Sequence, residues 1–187
     1  MSRVEDPRAA RTRARLCAAL FEACAEQQLS DVSVADVVRR AGVGRATFYL
    51  HYSDLGELAV AACADVVREG VDALHAWRGV PVPDAPPPPL EAFFRKLDQH
   101  RALYASLLDS SGGGPLGLVL HRDLSERSRT ERALAGAPEP ELVGAAVAGA
   151  FTGVLAEWVH GLIPGTAAEV ARWVWRLLIA LHTAPLS

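Results

Sequence analysis

Apolar side chains recur every three or four residues along most of this 187-residue chain, the period of a helix with one buried face. The pattern predicts a helix over residues 8–27, where Leu16, Cys17, Leu20, Phe21, Ala23 and Cys24 share a stripe. It predicts another over 54–77, carrying Leu58, Ala62, Val66, Val67, Val71 and Leu74. Residues 90–109 read as one helix or two short ones, with Phe93, Phe94, Leu97, Leu103, Tyr104, Leu107 and Leu108 inward. A helix over 116–135 is apolar at first and charged later, and two strongly apolar helices, 141–162 and 166–182, complete the chain. The breaks between them are clear. Residues 79–89 hold six prolines, a density that favours extended backbone and makes a stiff connector. Residues 110–115, 136–140 and 164–165 are rich in Gly and Pro. The expected fold class is all-α.

Residues 33–51 have a finer pattern. Ser33 is suited to cap a helix, and Asp36 stands where a capping box needs an acid. Val34, Val37, Val38 and Ala41 form one apolar face, and Gly42 supplies the left-handed residue that ends the helix. Val43 plugs the turn, and a second helix runs from Arg45 to about His51. Two helices across a short Gly-containing turn form a helix-turn-helix, whose second helix enters the major groove of DNA. The same spacing also occurs in ordinary helical proteins. The exposed chemistry favours DNA: Arg45 can pair with guanine, Thr47 with phosphate or a thymine methyl, and Tyr49 and His51 with phosphate. No carboxylate lies between Gly42 and Tyr52.

The stretch Ala41-Gly-Val-Gly-Arg-Ala-Thr-Phe-Tyr-Leu-His-Tyr-Ser-Asp54 resembles the signature of the TetR family of transcriptional regulators, and residues 16–38 follow that family's first two helices. The resemblance covers about the first third of the chain. It implies a three-helix N-terminal head with a helix-turn-helix and a C-terminal helical body that binds ligand and dimerises. The implied division is a flexible arm at 1–9, a DNA-binding domain at 10–70 with the motif at about 33–52, and an effector-binding and dimerisation domain at 71–187. The implied DNA contacts are Ser33, Arg45, Ala46, Thr47, Tyr49, Leu50 and His51. Two positions depart from the family pattern. Gln28 stands where the first helix usually ends in Gly, and Leu55 stands where Lys usually meets phosphate.

Charge distribution supports this division. From Met1 to Tyr52, eight arginines oppose six carboxylates, a net +2 that leaves −5 for the remainder of a chain whose total is −3. A basic end on an acidic body suits a DNA-reading head. Arg8, Arg11, Arg13 and Arg15 load a helix start with charge that opposes the helix dipole. Phosphate contact and an ordinary solvated face both account for them. Cys17, Cys24 and Cys63 have no metal-ligand spacing and read as small buried hydrophobes. The polar, Arg-rich start is no signal peptide, no apolar run reaches membrane length, and a cytoplasmic location is expected.

Trp77, Phe93, Phe94, His100, Tyr104, His121, Phe151, Trp158 and Trp173 are candidates to line an effector pocket in the body, though each taken singly also suits plain core. Gly144, Ala145, Ala148, Gly149, Thr152 and Gly153 make a small-residue face. The wide apolar surface of the last two helices points to a homodimer through a four-helix interface. Six scattered His residues form no metal motif, and no nucleophile–base pair stands out. The expectation is therefore a regulator with duplex DNA, a small-molecule effector and a second copy as partners. No cofactor, metal or membrane is expected. The competing expectation is a helical interaction module whose head does not bind DNA.

Overall fold

The computed structural model describes residues 6–183. The expected loose lead, Met1 to Pro7, lies outside them except for its last two residues. The chain divides into two compact units, one up to Cys63 and one from Ala64.

In the first unit, α1 spans Pro7–Glu26. Asp6 caps it, accepting the Arg8 N–H at 2.9 Å, and Pro7 occupies the first turn, where its missing N–H costs nothing. Residues 7–9 are therefore helical. With Gln28 in the usual Gly position, the helix ends without a left-handed residue. Gln27 and Gln28 are extended (φ −152° and −71°), and a short 3₁₀ turn over Leu29–Asp31 leads to the buried Val32.

Helix α2, Val34–Ala41, opens with the expected capping box: Asp36 N–H donates to Ser33 Oγ at 3.1 Å, and Ser33 N–H to Asp36 Oδ2 at 3.3 Å. Gly42 follows at φ 61°, the left-handed conformation in which a Cβ is penalised. Helix α3 is only Arg45–Tyr49.

At the next start, Asp54 Oδ1 accepts the Glu57 N–H at 2.8 Å, as a cap should, while Glu57 reaches back to the Ser53 N–H at 2.7 Å. This is a capping box shifted by one residue on its return arm. Helix α4, Leu55–Ala76, then runs unbroken through the division between the units.

The core of the first unit is Leu16, Leu20, Val37, Phe48 and Leu58, all with no exposed surface. Two cysteine expectations need correction. Cys63 is buried, but Cys17 and Cys24 are only half-buried at the edge of the α1 stripe. Burial still pushes the Cys24 thiol pKa up.

In the second unit, α5 spans Pro88–Gln99, α6 Arg101–Leu107, α7 Gly114–Leu134, α8 Pro140–Val159 and α9 Ala167–Thr183. Pro88 and Pro89 belong to the first turn of α5, so the connector is shorter than its proline run. It is also not simply extended. Ala85 N–H donates to the Val82 carbonyl at 3.1 Å, and the Trp175 indole donates to the same carbonyl at 2.8 Å, fixing the turn against α9.

Inside, Phe94 meets Phe93 edge-on at 5.2 Å and Trp158 at 5.6 Å. The fully buried Trp158 donates its indole N–H to the Gly165 carbonyl at 3.0 Å. Arg101 stacks its guanidinium 4.7 Å from the Trp158 ring and donates to the Trp158 and Val159 carbonyls, closing the C-terminus of α8. Helices α7 and α8 approach closely at Gly144, where a Cβ would stand 2.9 Å from the Ser125 carbonyl oxygen and 3.2 Å from Arg129 N. Helix α8 corrects one expectation. By length and composition it could cross a membrane, but half of its apolar window is buried in this unit.

Gly144→Ala should lower stability by about 1–3 kcal/mol despite alanine's better helix propensity, because the clash is with backbone. The urea midpoint reports the sign. The Asp36 and Glu57 carboxyls are held below their ordinary pKa range, by Ser33 and Ser53 respectively. Both must stay charged to keep their caps. Their contribution is present above the unfolded carboxylate range and is lost as pH falls through the lower folded values. Urea midpoints of the first unit should therefore fall in acid, and replacing both residues by the amides should flatten that dependence.

Candidate nucleic-acid interface and ligand cavity

Helix α3 is too short to hold itself together in water. Phe48, fully buried, anchors it, and its ring meets those of Tyr49 at 5.3 Å and Tyr52 at 6.0 Å. With Phe48 inward, Arg45, Ala46, Tyr49 and Leu50 are exposed, while Thr47 and His51 are half-buried at the flanks. Leu50 is 82% exposed, an apolar side chain that folding leaves uncovered. Arg45 lies 5.8 Å from the Tyr49 ring centroid, and among the described residues no carboxylate pairs with it. This surface has the chemistry to meet DNA: a guanidinium for guanine, an apolar tip for a thymine methyl, and hydroxyl and imidazole donors for phosphate.

The other candidates are partly committed within the fold. The Ser33 hydroxyl lies 2.6 Å from Asp36 Oδ2, so a phosphate contact there competes with the cap. Arg15 donates from Nη2 to the Gly42 carbonyl at 3.0 Å and so closes the turn of the motif. Arg40 forms a forked pair with Glu26, which lowers the Glu26 pKa. Arg39 lies 3.5 Å from Asp36. Leu55, which stands where the family usually has Lys, is the half-buried first residue of α4.

The second unit contains a cavity of about 500 Å³, within the usual size of small-molecule sites. Of the nine sequence candidates, Trp77, Phe93 and Phe151 line it. Phe94, Tyr104 and Trp158 do not, being almost wholly buried in the core. His100 sits at the junction of α5 and α6, where burial and the nearby Lys96 push its pKa down. His121 is exposed on α7, and Trp173 is exposed with its ring against Gly165.

Sequence reasoning missed Trp175 on α9, whose ring meets Trp77 edge-on at 6.2 Å, and the polar residues His75, Arg127, Ser128 and Glu131. The i,i+4 pair Arg127 and Glu131 was a weak signal. Nothing in the sequence placed it opposite His75. Gly70 leaves room for Phe93, since a Cβ there would lie 2.4 Å from that ring.

Among the described residues the chain is all-helical, with a helix-turn-helix in its first unit and a helical second unit. Residues 16–62 match the family model of the bacterial regulatory proteins, tetR family. The chain is similar to a TetR transcriptional regulator from Rhodococcus sp. RHA1 at 23% identity, covering 98% of this chain and 100% of that one with a TM-score of 0.63. It is similar to a second Rhodococcus transcriptional regulator at 23% identity, covering 91% and 95% with a TM-score of 0.53. It also resembles the fatty acid degradation regulator FadR from Bacillus halodurans at 15% identity, covering 91% and 98% with a TM-score of 0.51. No curated protein matches significantly. The head carries the family's model, and the whole chain has the TetR regulator fold.

Replacing Arg15 with Met should cost about 1 kcal/mol of stability without any DNA present, because the Gly42 carbonyl loses its donor. Unchanged denaturation would show that the bond to Gly42 contributes nothing to stability.

Proposed function

We propose that the protein binds duplex DNA as a transcriptional regulator, a repressor released from a near-palindromic operator by a small molecule. The observation that carries this is the exposed face Arg45, Ala46, Tyr49 and Leu50 on a short helix anchored by Phe48, within the segment matching the tetR-family model. Arg45 reads a base, Leu50 contacts a thymine methyl, and Tyr49, Thr47 and His51 fix the register on phosphate.

A second copy completes the reader. Ala145 and Gly149 on α8 are exposed, a Cβ at Gly149 or Gly153 would meet nothing within 4 Å, and Trp173 on α9 is 38% exposed. Exposed small residues on α8 and an uncovered Trp on α9 support a two-fold interface of these two helices. The dimer then presents two α3 helices to successive major grooves, about one helical turn or slightly more apart. The effector occupies the cavity against the end of α4. That helix is continuous from Leu55 to Ala76, and a ligand displacing its end alters the spacing of the two heads. A differential affinity of about 1–3 kcal/mol suffices, and operator weakens ligand by the same factor. A cytoplasmic location follows from this role.

Arg45→Ala should relax preference at one base position and cost about 1–3 kcal/mol there, whereas His51→Ala should weaken all sequences alike. Competition gel shifts across single-base operator variants distinguish the two. An unchanged preference in Arg45→Ala makes Arg45 a phosphate contact. Gly149→Arg should give a monomer at micromolar concentration by sedimentation, with loss of binding to the two-half-site duplex. A dimeric Gly149→Arg protein would place the interface elsewhere.

A further inference from the structure

The cavity of the second unit is graded in polarity. Its inner wall holds Leu90, Phe93, Phe151 and Trp175, all nearly buried. Trp175 already donates its indole N–H to the Val82 carbonyl, so it offers the cavity ring surface alone. The charged lining groups gather at one edge. His75 stands near the end of α4, with Arg127 and Glu131 one turn apart on α7. Glu131 Oε1 lies 2.8 Å from His75 Nδ1 and accepts from Arg127 Nε at 3.0 Å, and Asp72 joins them by pairing with Arg127. Each of these four side chains keeps a third or more of its surface in water. This edge is the mouth of the cavity.

The two ends make different demands on a ligand. An ion on the inner wall would be desolvated without a partner, so a polar end belongs at the mouth. There two carboxylates stand against one guanidinium, all exposed and screened by salt, and such pairs change an affinity by about fivefold at most. The body of a ligand, by contrast, gains with every part that leaves water. Trp77 and Trp175 meet edge-on at 6.2 Å and form a corner of two perpendicular rings. A flat ring system in that corner stacks offset on one and meets the other edge to face, both favoured arrangements.

We propose, as a refinement that rests on the effector role above, that the cavity takes an aromatic amphiphile. Its fused-ring body lies against Trp77, Trp175, Phe93 and Phe151, and its single polar or charged end stays in water beside His75, Arg127 and Glu131. Selection acts on the size and flatness of the body. Acids, alcohols and quaternary amines that share one body are accepted alike.

Binding to the full chain is measured by equilibrium dialysis. Pyrenebutanoate, pyrenebutanol and pyrenebutyl-trimethylammonium share a body and a tether and differ in charge. Their affinities should agree within about fivefold. Naphthalenebutanoate, with a smaller body, should bind at least about tenfold more weakly than pyrenebutanoate. A saturated analogue of pyrenebutanoate, thicker and without aromatic pairing, should bind at least about threefold more weakly. Arg127→Gln should change pyrenebutanoate affinity by no more than about fivefold, because the head group is not held by an ion pair. Val147→Trp and Leu74→Trp each add bulk at a half-buried lining position on a different helix, and either, with unchanged helical content and melting midpoint, should abolish binding. The size and charge series on the unaltered chain stand without these two variants. The proposal is overturned if no pyrene probe binds, if their affinities spread further than stated, or if the smaller or the saturated body binds as tightly. Loss of pyrenebutanoate binding in Arg127→Gln, or undiminished binding in a folded Trp variant, also overturns it. Operator binding is measured in parallel with and without pyrenebutanol. Its absence without probe counts against the DNA-binding role, and a bound probe that leaves it unchanged counts against the effector role. A failed probe series with intact operator binding counts against the ligand class alone.

Discussion

Burial of one ring, Phe48, is the constraint on which the exposed face of α3 depends. Removing that side chain from water is worth about 1.5–3 kcal/mol, more than a five-residue helix can supply for itself. It fixes which face of α3 points inward and hence which residues remain outside. The left-handed Gly42 sets the direction in which α3 leaves α2, and Arg15 satisfies the carbonyl exposed at that turn. A residue whose charge the sequence leaves open between phosphate contact and a solvated face is thus tied into the turn of the motif. The surface is left with Arg45 and Leu50, both exposed, and with Tyr49, whose ring meets Phe48 edge-on while about half of its surface stays uncovered.

The second unit divides its aromatic residues between two tasks. Phe94, Tyr104 and Trp158 form a closed core, with the Trp158 N–H satisfied by Gly165 and its ring covered by Arg101. Phe93 and Phe151 belong to both, since each is nearly buried and also lines the cavity. Trp77 and Trp175 form the wall. The pinned turn at Val82 matters here because it holds the Trp175 indole in place. The proline-rich connector therefore helps to build the cavity as well as joining two helices.

Much of the architecture was legible in the sequence, because helical periodicity and punctuation agreed. Ser33, Asp36 and Gly42 each announced a local geometry that the structure contains. The helix ends were less legible. Pro88 and Pro89 read as linker yet sit in a first helical turn, where proline is tolerated. Gln28 stands where the family usually has Gly, and the chain ends α1 through extended residues and a 3₁₀ turn. The cavity was the least legible feature. An aromatic residue looks the same in sequence whether it fills a core or lines a space, and three of the nine candidates fell on the lining. The polar rim joins residues 72 and 75 to 127 and 131, a pairing set by tertiary packing alone.

In the proposed function, the mildly basic head of an acidic chain reads duplex DNA, with affinity arising from phosphate neutralisation and selectivity from one exposed face of α3. The most direct measurement is selection of bound sequences from random duplex by the full chain, followed by a salt titration of the selected site. The account predicts a near-palindromic site whose affinity falls linearly on a log–log salt plot, with a slope of about −0.9 per phosphate neutralised. Enrichment of no sequence, together with affinity independent of salt, would contradict it.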